Sequence, residues 1–203
     1  MLDIERGQLE APRPLFWQTD TSVGEKSWGY IRDETFRSPD SLVDQLVDIV
    51  SKNGCLLLNI GPRPDGTIPD EVQKILLEVG QWLTVNSEAI YGTRPWKIFG
   101  EGPTQVVGGS FKDTATQPYT SQDIRFTTRG QTLYAIALAW PADGKLVIKS
   151  LASGSGLSPG KTSKIELLGS ESSVKWLRTP QGLTVTLPSQ RPSDYALALR
   201  IKQ

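Results

Sequence analysis

Residues 52–69, KNGCLLLNIGPRPDGTIP, set a short apolar run between a Lys-Asn-Gly turn and a proline-rich loop, and only Asn59 interrupts the run over 55–60. An apolar run of about 4–8 residues bounded by turn signals reads as a strand buried on both faces. Such strands belong to parallel sheets covered on both sides. Helical patterns flank this one. Before it, Ser38-Pro39-Asp40 combines a capping hydroxyl, a first-turn proline and an acid near the positive end of the helix dipole. Leu42, Leu46, Ile49 and Val43, Val47, Val50 then repeat at helical spacing. After it, Pro69-Asp70-Glu71 opens a second helix whose apolar face is Val72, Ile75, Leu76, Val79, Trp82 and Leu83. Helix, buried strand, loop, helix is the local order of a (β/α)8 barrel, where loops at the C-terminal ends of strands build the active site. Cys55 is expected as a buried thiol.

Upstream, residues 1–7 read as a strand ending in Glu5-Arg6-Gly7, and residues 8–14 as a loop with two prolines. Leu15-Phe16-Trp17 is a second apolar run, closed by the polar Gln18-Thr19-Asp20-Thr21-Ser22, and Ser27-Trp28-Gly29-Tyr30 is an aromatic turn. From about residue 97 the apolar period shortens to two. Strand candidates follow at 124–128, 133–140, 146–148, 165–168, 174–177, 183–187 and 195–201, punctuated by glycine, proline and serine, notably over 154–160. Many short strands with regular turn signals indicate an antiparallel β-sandwich. The expected fold class is therefore α/β plus all-β: the C-terminal part of a (β/α)8-like barrel over residues 1–96, then a β-sandwich over 97–203. A barrel needs roughly 250 residues. The first part supplies three strands and two helices, so the remaining barrel is expected to come from outside this chain.

The totals narrow the chemistry. The 22 Lys plus Arg balance 22 Asp plus Glu, so no basic excess points to nucleic acid. No apolar run reaches membrane-spanning length, and the first ten residues lack the pattern of a signal peptide. Histidine is absent. That excludes Ser-His and Cys-His nucleophilic systems and histidine metal sites from these residues, leaving carboxylates to carry any chemistry.

Six motifs then carry a resemblance. In order they are Glu5-Arg6-Gly7-Gln8, Trp17 with the polar residues through Ser22, Ser27-Trp28-Gly29-Tyr30, Asn53-Gly54 with residues 56–62, Asp65-Gly66-Thr67-Ile68-Pro69, and residues 88–96, EAIYGTRPW. Together they resemble the C-terminal portion of an α-L-fucosidase of glycoside hydrolase family 29, strongly over 2–96 and more loosely beyond. The resemblance implies a retaining glycosidase acting on fucosylated glycans or fucosides without metal or organic cofactor. It also implies that the nucleophilic Asp and the fucose-binding histidines belong to a missing N-terminal barrel half, and that the compartment is lysosomal, secreted or periplasmic.

Retention needs two carboxyl groups: one attacks the anomeric carbon, and the other protonates the leaving oxygen and later activates water. The resemblance places Glu5 at the acid/base position. The plainer reading is a surface glutamate paired with Arg6. Asp20 and Glu34 are rival acids, with Asp20 expected to make local loop hydrogen bonds. The resemblance sets Trp28 against the apolar face of fucose, a contact that suits a flat ring; a core tryptophan fits the sequence equally well. Trp17 is expected to end a strand on the active-site side, as wall or core more than direct contact. Asn59 needs a partner inside the barrel. Among aromatics beyond residue 97, Trp140, Trp176, Tyr134 and Tyr195 are read mainly as core. They also offer the rival reading, a non-catalytic carbohydrate-binding or interaction module.

Overall fold

A computed structural model describes residues 1–157 and 162–202. Gly160 of the expected glycine-rich turn lies outside those residues. The chain opens with a parallel three-stranded sheet, β1 (Leu2–Glu5), β2 (Trp17–Ser22) and β3 (Gly54–Asn59), in the order β1-β2-β3. Between β2 and β3 lies α1 (Pro39–Ser51), and after β3 comes α2 (Asp70–Asn86). Local sequence sets both ends of α1. The Ser38 hydroxyl accepts the Ser41 N–H at 3.1 Å, and Asn53 takes the left-handed conformation (φ 72°) just past the helix end. The Asn53 amide also donates to the Pro14 carbonyl at 3.0 Å, tying down the loop after β1.

The remaining strands are antiparallel. β4 (Arg94–Glu101), β5 (Ile124–Arg129), β6 (Thr132–Ala137), β8 (Lys164–Leu167) and β11 (Leu197–Lys202) form a sheet in the order β4-β5-β6-β11-β8. A second sheet, β7-β10-β9, comprises β7 (Lys145–Ile148), β9 (Lys175–Thr179) and β10 (Gly182–Thr186). Both sheets contribute to one apolar cluster: Phe126, Leu133, Leu199 and Ile201 from the first meet Leu146, Ile148, Leu183 and Val185 from the second. The other face of the larger sheet packs on the helices. Val43 and Val47 of α1 and Trp82 of α2 cluster with Ile136 and Ala198, and the Trp82 indole donates to the Ala196 carbonyl at 2.6 Å.

Two expectations are corrected here. The second apolar run is not the strand: Leu15 and Phe16 are exposed, and β2 is the polar stretch WQTDTS. Its buried side chains after Trp17 are hydroxyls with partners, so they need no apolar run. The Thr19 hydroxyl lies 2.6 Å from the Ile4 carbonyl and 2.7 Å from that of Gly7. Nor is β3 buried on both faces. Among the described residues it pairs with β2 alone, Leu57 is 56% exposed, and Cys55 is half-buried. β4 begins at Arg94, so the 96/97 division falls within a strand.

A buried ionic triad joins α1 to the larger sheet. Asp48 accepts from Lys52 Nζ at 2.6 Å and from Arg125 Nε at 2.6 Å, with all three side chains nearly or wholly inaccessible. Both cations lie over the Phe99 ring, at 4.9 Å and 5.5 Å. Lys52 Nζ also donates to the Leu9 carbonyl at 2.8 Å, and its own carbonyl accepts the Trp17 indole at 3.0 Å. Burial pulls the Lys52 ammonium below its ordinary pKa, and Asp48 opposes that shift. Removing the one anion would leave two buried cations unpaired. Asp48→Ala should therefore lower stability by about 3–5 kcal/mol, read as a reduced urea midpoint; an unchanged midpoint would contradict this role.

Candidate functional site

The site is organised where the three parallel strands end. Side chains along β1 alternate, so Ile4 packs beneath the sheet while Glu5 is exposed on the other face. Glu5 stands in register with Asp20 of β2 and, through it, with Leu57 of β3. This face carries Asp3, Glu5, Asp20, Cys55 and Leu57, of which Asp3, Glu5 and Leu57 are exposed and Asp20 and Cys55 half-buried. Burial, followed by the neighbouring Asp3 charge, raises the Cys55 thiol above its ordinary pKa.

Arg6 turns the chain out of β1. It adopts φ 46°, a left-handed conformation uncommon for a side-chain-bearing residue. Its backbone and guanidinium are held from several directions. Arg6 Nε donates to Asp113 at 3.2 Å, Nη2 donates to the Gly24 and Glu25 carbonyls at 3.2 and 2.9 Å, and the group lies 5.3 Å from the centre of the Trp28 ring. Such cation–π contacts contribute about 0.5–2 kcal/mol. Arg6 is thus buried and paired with Asp113, which corrects the expected surface pair with Glu5.

The Trp28 loop is fixed at three further points. Asn59, at the end of β3, donates to the Trp28 carbonyl at 2.7 Å and to the Ser22 hydroxyl at 3.1 Å. These are the partners expected for the one polar side chain in the apolar run. Glu34 accepts the N–H groups of Lys26, Ser27 and Thr35 at 3.0–3.1 Å. It therefore shapes the loop that presents Trp28. Asp20 lies in β2, not in a loop, and its Oδ1 is buried without a hydrogen-bond partner among the described residues.

The structure brings Glu5 and Trp28 to the same end of the sheet, through Arg6. Trp17 it places elsewhere. Trp17 opens β2, opposite Leu2 and Gly54, and is 0% exposed. Its expected place at a strand end on the active-site side is corrected: it is core, packed where a Cβ on Gly54 would fall 2.4 Å from its ring. The aromatics beyond residue 97 do not make one platform. Tyr134 is buried, Trp140 and Tyr195 are half-buried, and Trp176 is exposed on β9.

Sequence reasoning missed the segment that closes this end. Residues 109–113 return across β1: Gly109 N–H donates to Gln8, Phe111 N–H to Glu5, and Lys112 and Asp113 N–H both to the Arg6 carbonyl, all within 2.8–2.9 Å. Asp113 then receives Arg6 and the Thr21 hydroxyl, while Arg37 donates to Thr21 at 3.1 Å and to Gln45 at 2.6 Å. Burial lowers the Arg37 pKa, with Asp113 opposing. A glycine after the permissive turn was the available signal. A Cβ on Gly7 would fall 1.9 Å from the Gly109 carbonyl oxygen, so no larger residue fits.

Two family models match the chain: alpha-L-fucosidase over residues 1–88 and alpha-L-fucosidase C-terminal domain over residues 116–202. This chain belongs to the α-L-fucosidases. It is 38% identical to the tissue alpha-L-fucosidase of Homo sapiens over 181 residues, which cover 87% of this chain and 34% of that protein. The tissue alpha-L-fucosidase of Rattus norvegicus is 36% identical over 185 residues, covering 88% and 35%. The chain thus spans about a third of the length of these relatives. Among solved structures, Thermotoga maritima alpha-fucosidase in complex with fucose superposes with a TM-score of 0.72 at 30% identity, covering 95% of this chain and 41% of that one. Alpha-L-fucosidase isoenzyme 1 of Paenibacillus thiaminolyticus gives 0.75 at 25% identity, covering 98% and 44%. The fucosidase chain described here therefore corresponds to the C-terminal portion of members of glycoside hydrolase family 29.

The close Gly7–Gly109 approach gives a test. Gly7→Ala should displace the 109–113 segment at a cost of about 1–3 kcal/mol. Faster limited proteolysis within residues 102–123 would report it; wild-type cleavage would contradict the packing.

Proposed function

We propose that this chain is the C-terminal part of a retaining α-L-fucosidase that hydrolyses α-L-fucosyl linkages in fucosylated glycans. In this reading residues 1–96 are the last strands and helices of a (β/α)8-like barrel, and residues 97–203 are a β-sandwich behind it. The observation that carries the reading is the placement of an exposed Glu5 at the end of a parallel strand, beside an Arg6 stacked on Trp28.

Glu5 is the acid/base group. It gives its proton to the leaving oxygen as the anomeric carbon passes to a nucleophilic carboxylate, then takes a proton from the attacking water. Trp28 offers a flat apolar wall for the sugar, and Arg6 holds that wall in place. The nucleophile comes from a strand outside these 203 residues, in the barrel half that would also cover Asp3, Cys55 and Leu57. No step calls for a metal or organic cofactor. Asp20 stands next to Glu5 but approaches from the neighbouring strand of the same sheet, and we assign it no step.

The 203-residue chain alone should not turn over an aryl α-L-fucoside. The same chain joined to the N-terminal barrel half of an α-L-fucosidase should do so, with activity lost in Glu5→Gln by about a hundredfold or more. Turnover by the isolated chain, abolished by either Glu5→Gln or Asp20→Asn, would overturn the division of labour. It would make those two neighbours the working pair.

A further inference from the structure

Phe111 is an aromatic residue beside Glu5 that the fold does not use for packing. It lies in the connection between β4 and β5 that folds back over the end of β1. Its backbone N–H donates to the Glu5 carbonyl at 2.9 Å, while the N–H groups of Gly109, Lys112 and Asp113 bond the Gln8 and Arg6 carbonyls. The backbone at residue 111 is thus held over the strand end by its own bond and by its neighbours. The side chain is 65% exposed and joins none of the four apolar clusters among the described residues.

The backbone conformation makes that choice of residue unusual. Phe111 adopts φ 56°, a left-handed conformation that is an outlier for a bulky side chain and ordinary for glycine. A glycine would serve the turn with less strain and would take an apolar ring out of water. Backbone strain of this kind clusters at active sites and ligand clamps. A flat exposed ring held there has an apolar face to offer a ligand.

The surroundings indicate which part of a ligand it meets. The acid/base carboxyl protonates the leaving oxygen, so it stands between the fucose and the group that departs. Trp28, the wall assigned to fucose, joins this end from within, through the buried Arg6. Phe111 instead arrives from outside the parallel sheet, on a segment that links two strands of the antiparallel half. A residue on that outer segment meets what projects from the pocket, and the leaving group is the part that projects.

We propose that Phe111 is a specificity residue for the leaving group, its ring stacked on the apolar face of a departing sugar. This rests on the assignment of Glu5 as the acid/base group. The test uses the completed barrel with a fucosyl-galactose disaccharide and with α-L-fucosyl fluoride, whose leaving group has no ring to stack. Phe111→Gly removes the side chain at a position whose backbone favours glycine. It should lower kcat/KM for the disaccharide about tenfold and leave the fluoride within about twofold. Phe111→Tyr should restore the disaccharide. On the unaltered background of the 203-residue chain, the glycine variant should not lower the urea midpoint. Equal losses on both substrates, or a lowered midpoint, would make Phe111 a packing residue and overturn the proposal. Unchanged kcat/KM on both would also overturn it, because the remaining barrel would then cover the ring. In the same assay Glu5→Gln should harm the disaccharide far more than the fluoride. If it does not, the reading of Glu5 fails first, whatever residue 111 does, and the leaving-group assignment falls with it.

Discussion

Asp48 is the anion on which the two halves of this molecule converge. It lies on α1, yet its cationic partners are Lys52 at the end of the same helix and Arg125 in the distant β5. Lys52 extends the connection to the Leu9 carbonyl in the loop after β1 and, through its own carbonyl, to Trp17 at the start of β2. Aliphatic packing could bring the same elements together, and buried ion pairs are weak evidence for extra stability. Their geometry is nevertheless specific. Two cations directed at one carboxylate fix the helix against the sheet in one register, and with it the direction in which β1 and β2 deliver their C-terminal ends.

From that anchoring the site follows. The 102–123 connection does more than link strands; it folds back so that residues 109–113 satisfy the backbone at the end of β1 and bring Asp113 to Arg6. Arg6 then occupies an uncommon backbone conformation and faces Trp28. Residues from the second half of the chain thus set the geometry next to Glu5 in the first. A substitution at Asp113 should therefore be felt at Arg6, next to Glu5.

Much of the frame was legible locally. Ser38, Pro39 and Asp40 announce α1, Pro69 with Asp70 and Glu71 announces α2, and the period-two segments after residue 97 mark the antiparallel strands. Local reading failed where burial depends on distant partners. β2 is buried through threonines, and Thr21 meets Asp113 from 92 positions away. Arg6 looked paired to its neighbour but bonds a residue 107 positions on. The hydrophobicity of β3 correctly marked a strand, yet among the described residues β3 is an edge strand paired with β2, and Leu57 on one face stays exposed. In sequence Trp17 stands at a strand end and Trp28 in an aromatic turn, each with a core reading open; Trp17 is fully buried and Trp28 half-buried. Distant partners separate them: Trp17 donates to the Lys52 carbonyl in the core, while Trp28 is held by Arg6 and Asn59 in the loop after β2.

The role of Glu5 is tested most directly by chemical rescue in a completed barrel, using a fucoside whose leaving group departs without protonation. On the proposed assignment of Glu5 as acid/base, replacing it with alanine removes the group that activates water but leaves formation of the fucosyl-enzyme intact. Added azide should then restore turnover and yield fucosyl azide with retained configuration. If azide leaves the Glu5→Ala enzyme inactive, or the variant hydrolyses an unactivated fucoside at the wild-type rate, Glu5 is not the acid/base residue.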